Sequence, residues 1–162
     1  MQRNVALIKL AASILGAMMM LMPGGASAQT PSVRYINPST MAKPPGYTHV
    51  VEANGPGRTI YIAGQLGYDG AGKQGADFRE QATLVYENLK AAIESVGGKM
   101  ENIVKLNAYL TDIRAQLPIY REVRDKFINV AAPPASTTLE ISKLARDGAL
   151  LEVEAVAILP AR

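Results

Sequence analysis

Residues 149–159, ALLEVEAVAIL, leave few choices of fold. Leu151, Val153, Ala155, Ala157 and Leu159 fall on one side; Glu152, Glu154, Val156 and Ile158 fall on the other. That is the alternation of a strand, whose successive side chains point to opposite faces. The first set calls for a dry core. The second mixes two carboxylates with two large aliphatics, which suits neither bulk water nor a sealed interior. A sheet containing this strand needs a covering on both faces, and the two coverings must differ in chemistry.

The rest of the chain supplies one of them. Asp77–Val96 reads as a helix, with Phe78, Ala82, Val85, Leu89, Ala92, Ile93 and Val96 at three- and four-residue steps. Asp77 and Glu80 form a capping-box-like start, and Gly97-Gly98 supplies the stop. A second amphipathic helix is expected over 117–130, on the stripe Ile119, Tyr120, Val123, Phe127, Val130, halted by AAPP at 131–134. Strands are expected at 47–53, 58–66, 103–111, 136–144 and 150–159, with Val104, Leu106, Ala108 and Leu110 on one face of the third. NGPG at 54–57 should join the first two strands into a hairpin. The segment 29–46, rich in Pro, Ser and Thr, reads as an extended surface lead-in, and 68–75 as a Gly-rich loop.

The order β-β-α-β-α-β-β makes a mixed sheet with both helices on one face, an α+β fold with antiparallel hairpins at its ends. No helix remains for the face of Glu152 and Glu154. Val51, Ile60, Ile62 and Leu139 offer further apolar surface whose facing the pattern does not fix. Self-association would close such a face and place the carboxylates near seams between subunits.

The first 28 residues read as a secretory signal: Arg3 and Lys9, an apolar run to Met22, a Pro23-Gly24-Gly25 break, and Ala26-Ser27-Ala28 for cleavage before Gln29. The alternative is a membrane anchor, for which the run is short against the roughly 20 residues a span needs. Cleavage leaves a single domain, 29–162, secreted into a compartment such as the periplasm and free of the membrane. Loss of Arg3 and Lys9 lowers the formal charge from +3 to +1. With no basic run there is no electrostatic footprint for nucleic acid. The chain has no Cys and one His, which excludes thiolate catalysis and a multi-histidine metal site within one chain. No phosphate-loop pattern is present. Neither a metal nor a cofactor is expected.

Four places carry possible chemistry. Glu152 and Glu154 are either a water-orienting carboxylate in an inter-subunit cleft or ion-pair partners for Lys105, Arg58 or Arg34 across a boundary. Tyr47 and His49, two apart, are expected on one strand face, as a cradle for a polar ligand or an ordinary edge pair. Ser136, Thr137 and Thr138 place hydroxyls at a strand start, either as donors to a ligand or as turn-exit residues. Gly64 marks a close approach of ligand or backbone, or a plain bend.

Together these segments resemble the Rid/YjgF family, also called the endoribonuclease L-PSP family. The carriers are Tyr47, IYIAGQLG at 60–67, QATLVYENLKAAIESVGG at 81–98, VKLNAYLTD at 104–112, YREVRDKF at 120–127 and PPASTTLEISKLARDGALLEVEAVA at 133–157. The resemblance implies a chorismate-mutase-like fold and a homotrimer with three inter-subunit clefts. It also implies cofactor-free hydrolysis of reactive enamines and imines, as in 2-iminobutanoate/2-iminopropanoate deaminases. By it, Glu152 orients water, and Tyr47 and Gly64 shape the cleft. The family's carboxylate-gripping Arg does not carry over: Ser136 stands in its place, and Ala145 replaces a Pro nearby. A hydroxyl cannot replace a guanidinium's charge and paired hydrogen bonds.

Two functions are therefore expected as alternatives. One is an exported imine hydrolase for a small substrate that need not carry the usual carboxylate, with Glu152 catalytic and Ser136 and Thr138 holding a polar group. The other is a non-catalytic trimer that binds a small metabolite in the same clefts. Ribonuclease chemistry ranks below both, for want of a basic groove and a His pair.

Overall fold

The last strand, β6 (Leu151–Pro160), lies inside the sheet rather than at an end of it. In the computed structural model, which describes residues 30–162, β3 (Gly57–Leu66) and β4 (Ile103–Leu110) both pair antiparallel with β6. Strand β5 (Ala135–Glu140) adds parallel to β4, giving the order β3-β6-β4-β5. The expected signal segment lies outside the described residues.

The alternation in β6 is realised. Leu151, Val153, Ala155, Ala157 and Leu159 are buried, and the intervening residues are only half-buried. Helix α1 (Phe78–Ser95) supplies Ala82, Val85, Tyr86, Leu89 and Ile93 to the same core; α2 (Ile113–Arg124) adds Tyr120 and Val123. Each large apolar side chain so buried contributes roughly 1.5–3 kcal/mol. The Tyr86 hydroxyl donates to that of Tyr120 at 3.0 Å, and the Tyr86 ring stacks on Phe127, centroids 5.4 Å apart.

Helix α1 begins as expected. Asp77 Oδ1 accepts from Glu80 N at 2.8 Å, and Glu80 Oε2 accepts from Ala76 N at 2.8 Å, one residue before the cap. Gly97, at φ +81°, takes the left-handed conformation that ends the helix. Helix α2 differs from the expected 117–130. It starts four residues earlier, where Asp112 accepts from Ala115 N at 3.0 Å and Gln116 Oε1 accepts from the amides of Thr111 and Asp112. Pro118 therefore falls inside the helix, where its missing N–H forgoes one intrahelical bond. The helix stops at Arg124, so Phe127 reaches the core from the following turn and Val130 is exposed.

Neither expected hairpin forms. The lead-in contains a strand, β1 (Ser32–Ile36), which pairs with β2 (Val50–Asn54) in a separate two-stranded sheet. Strand β3 takes β6 instead, setting Ile60 opposite Ala157 and Ile62 opposite Ala155. That pairing extends the buried apolar row, which β2, with Glu52 in its middle, could not do. Strand β5 likewise takes β4 and ends at Glu140, short of the expected 144. A shift of register between Ile103 and Lys105 puts Ile103 in the core in place of Val104.

Candidate functional site

The two faces of the sheet carry different candidates. Ser136 and Thr138 pair with Leu106 and Ala108, both buried, and so point to the helix side. Glu152 and Glu154 pair with Tyr109 and Asn107, and so point to the other side.

That outer face has no covering among the described residues. Tyr61 is 81% exposed and Leu139 49%. Ile60 and Ile62 belong to the core, so its apolar surface comes from Tyr61, Leu139, Val156 and Ile158. A cavity of about 320 Å³ opens there between Tyr61, Lys105, Asn107, Glu154 and Val156. Glu154 is held in place: Asn107 Nδ2 donates to its Oε1 at 2.8 Å, and the Tyr109 hydroxyl donates to the same oxygen at 3.2 Å. Burial first, then the Glu154 carboxylate, raises the Tyr109 phenol above its usual range, while burial lowers Lys105. Within the chain, the cations considered as partners for these acids are used elsewhere. Lys105 Nζ donates to Thr137 Oγ1 at 2.7 Å, Arg34 pairs with Glu52 at 2.8 Å, and Arg58 donates to the carbonyls of Pro160 and Val96.

Glu152 lies against Gly64, where a Cβ would overlap Glu152 Oε1. Gly64 sits in the irregularity of β3 between Ile62 and Gln65, and what approaches it is the Glu152 side chain, neither a ligand nor a backbone. Gln81, almost fully buried in α1, stitches the surroundings. Its Nε2 donates to the carbonyls of Gly75 and Gly148, and its Oε1 accepts from Leu150 N at 2.9 Å. The Gly-rich loop and the start of β6 are thereby tied to one side chain.

On the helix side, Tyr47, Ser136 and Thr138 line one cavity of about 270 Å³, together with Leu117, Arg121 and Arg124 of α2. Tyr47 and His49 are not on a strand; both precede β2. Their rings meet edge-on at 5.4 Å, and His49 Nε2 lies 2.9 Å from the Ala42 carbonyl. What places Tyr47 is buried Thr48. Its Oγ1 donates to the Pro133 carbonyl at 2.6 Å and its N–H to that of Pro134 at 3.2 Å, pinning the segment to the entrance of β5. Ser136 Oγ is buried with no hydrogen-bond partner. The expected site residues thus form two groups on opposite faces: Gly64 with Glu152, and Tyr47 with Ser136 and Thr138.

Arg121 and Arg124 were not among the residues expected at the site. The signal for Arg124 was its place on the apolar stripe, four after Tyr120 and three before Phe127. Among the described residues, no three His, Cys, Asp or Glu side chains are grouped to hold a metal ion.

Residues 39–159 match the family described as Endoribonuclease L-PSP. A RutC family protein of Aquifex aeolicus is 35% identical over 69% of this chain and 87% of its own length. A 2-iminobutanoate/2-iminopropanoate deaminase of Dermatophagoides farinae is 27% identical over 64% of this chain and 80% of its own. The crystal structure of YyfB from Yersinia pestis, a protein of unknown function in the Rid family, superposes with a TM-score of 0.70 at 31% identity, over 78% of this chain and 98% of that one. A strand order set by the Glu-x-Glu strand, two helices over its apolar face and these matches lead to one conclusion: the chain belongs to the Rid/YjgF/RutC family, the endoribonuclease L-PSP family.

Proposed function

We propose that three copies assemble through their outer sheet faces and hydrolyse small reactive imines in the clefts between them. Each cleft takes Glu152 and Gly64 from one copy and Tyr47, Ser136 and Thr138 from the next. The observation that carries this reading is the placement of Glu152 over Gly64, on a face open to a second chain, while the other site residues stand behind the sheet.

The chemistry needs no oxidant, reductant or metal. Water adds to the carbon of a protonated C=N bond as the Glu152 carboxylate takes its proton. Glu152 then returns that proton to the carbinolamine nitrogen, which leaves as ammonia while the hydroxyl gives up its own proton to become the carbonyl. An enamine enters the same path after tautomerising. Glu152 contributes by orienting the water and accepting a proton at the moment charge develops. Tyr47 closes one wall, with Ser136 and Thr138 as hydroxyl partners for polar atoms.

Ser at 136, where the family signature carries Arg, favours one other reading: a trimer that binds a small metabolite without turning it over. The test generates imines from several amino acids and from uncharged amines with an oxidase, adds the protein, and follows imine loss. Turnover that Glu152→Gln lowers at least a hundredfold supports the hydrolase. No turnover by the native protein, with activity gained in Ser136→Arg, supports the binding reading.

We also propose that the chain works outside the cytoplasm, in the periplasm, as one domain spanning 29–162. The charged start, the apolar run and Ala26-Ser27-Ala28 support it. Mass spectrometry of the protein from periplasmic extract should find Gln29 at the N-terminus; an intact Met1 end would refute it.

A further inference from the structure

We propose that the cavity on the outer sheet face, across β3, β6 and β4, binds a small zwitterion. The ligand class is an α-amino acid with an apolar side chain: its ammonium pairs with Glu154, its carboxylate with Lys105, and its side chain lies against Tyr61 and Val156. This site is separate from the seat of Glu152 over Gly64, and the inference stands whether or not that seat is catalytic.

Two opposite charges on this face stand close enough to pair and do not. Lys105 is opposite Val156, and Asn107 is opposite Glu154. Lys105 and Glu154 are therefore diagonal neighbours on adjacent antiparallel strands, roughly 7–8 Å apart and within reach of long side chains. Each is anchored away from the other. Lys105 Nζ donates to Thr137 Oγ1 at 2.7 Å, toward β5. Glu154 Oε1 accepts from Asn107 Nδ2 at 2.8 Å and from the Tyr109 hydroxyl at 3.2 Å. Both charged residues are half-buried, yet among the described residues neither has an ion-pair partner. Charges taken from water without a counter-charge are costly. Burial accordingly lowers the Lys105 ammonium from its usual range.

Both charges line the cavity of about 320 Å³, beside the apolar wall of Tyr61 and Val156. Val156 stands opposite Lys105 on one side and Tyr61 on the other, so the charged and apolar walls adjoin. A lone cation entering here would meet the Lys105 ammonium, and a lone anion the Glu154 carboxylate. A zwitterion closes the split pair at both ends through charge-assisted hydrogen bonds. Glu154 Oε2 accepts no bond within the described chain, and an ammonium that donates once has two more protons to give. The Tyr61 ring, left open to solvent in the single chain, covers an apolar side chain. The competing occupant is a neighbouring copy whose own charges pair with Lys105 and Glu154 across the assembled faces. That occupant fills the cavity and predicts no amino-acid binding.

The test titrates the full protein by calorimetry with L-valine, with valinamide, which lacks the carboxylate, and with N-acetylvaline, which lacks the ammonium. Valine should bind about tenfold tighter than either. Glu154→Gln keeps an acceptor for Asn107 and Tyr109; it should weaken valine about tenfold and erase its advantage over N-acetylvaline. Lys105→Met should weaken valine as much and erase its advantage over valinamide. A purely structural role for either residue would weaken all three ligands together. Ser136→Trp, which fills the cavity behind the sheet, and Lys143→Met, which removes an exposed cation paired with Asp147, should leave valine binding unchanged. If neither charge variant folds, the three ligands on native protein and on Ser136→Trp still decide. No valine binding by the native protein, equal binding of the three ligands, or a loss in Ser136→Trp matching that in Glu154→Gln would each overturn the proposal. Imine turnover is scored separately. Zwitterion binding with turnover indifferent to Glu152→Gln keeps this site and removes the hydrolase. Glu152-dependent turnover without valine binding does the reverse.

Discussion

Ser136 and Glu152 project from opposite faces of one sheet, on strands separated by β4. No rotamer brings them together across the sheet. A site that uses both must take them from different chains.

This yields a complementation prediction. Glu152→Gln and Ser136→Trp proteins should each be inactive toward imines. Denatured, mixed in equal amounts and refolded, they should regain activity at the clefts where both intact halves meet. Random assembly makes that about a quarter of the clefts. A mixture as inactive as its components would place each site within one chain and refute the shared cleft.

Gly64→Ala tests how closely Glu152 is seated. The added Cβ would occupy the position of Glu152 Oε1. The carboxylate is the end of a flexible side chain and can swing aside, so stability should change little. Catalysis depends on position to within about 1 Å. The expected outcome is a loss of at least tenfold in kcat/KM, with Tm within a few degrees of the native value. Unchanged kinetics would mean that Glu152 does not act from this seat.

Sequence pattern was informative where burial follows a short period. The inward row of β6, the cap at Asp77 and the stop at Gly97 all follow from neighbours within four residues. Strand pairing does not. Whether β3 joins β2 or β6 depends on which partner extends the apolar row of Ile60 and Ile62, a comparison across about 95 residues of chain. The site depends on pairing in the same way. At Gly64 the pattern leaves open a close approach of ligand or backbone and a plain bend; the neighbour there is the Glu152 side chain, which only the pairing of β3 with β6 sets beside it. Arg124 was not legible as a site residue, because the cavity it lines exists only once α2 packs beside β5. Tyr47 falls in an expected strand, yet it precedes β2 and is fixed by Thr48, which grips Pro133 and Pro134.

Gln81 should be costly to replace. It is the buried link among α1, the Gly-rich loop and the start of β6. Gln81→Leu keeps the volume but leaves two carbonyls and one amide without their partner. Even with partial compensation by water, a loss of about 2–3 kcal/mol is expected. Urea titration at fixed protein concentration measures it, because the proposed assembly would make stability concentration-dependent. A change under 0.5 kcal/mol, on the order of an ordinary surface substitution, would show that these bonds do not hold the loop and β6.

The buried Tyr86–Tyr120 pair predicts how the fold fails in alkali. Burial pushes the Tyr86 phenol well above its usual value, and burial likewise raises Tyr120. An unfolded tyrosine ionises near pH 10. Above that pH the unfolded chain has released protons that the folded one keeps, so fewer protons are bound unfolded than folded, and stability falls as pH rises. The contribution is intact below about pH 10 and is lost progressively above it, until the raised folded-state values are reached. Tyr86→Phe removes one of the two groups. It should cost about 1 kcal/mol at neutral pH, through the bond to the Tyr120 hydroxyl, yet flatten the decline above pH 10. Denaturant midpoints from pH 7 to 11.5 separate the two effects. Parallel curves for native protein and variant would mean that Tyr86 does not resist ionisation in the folded state.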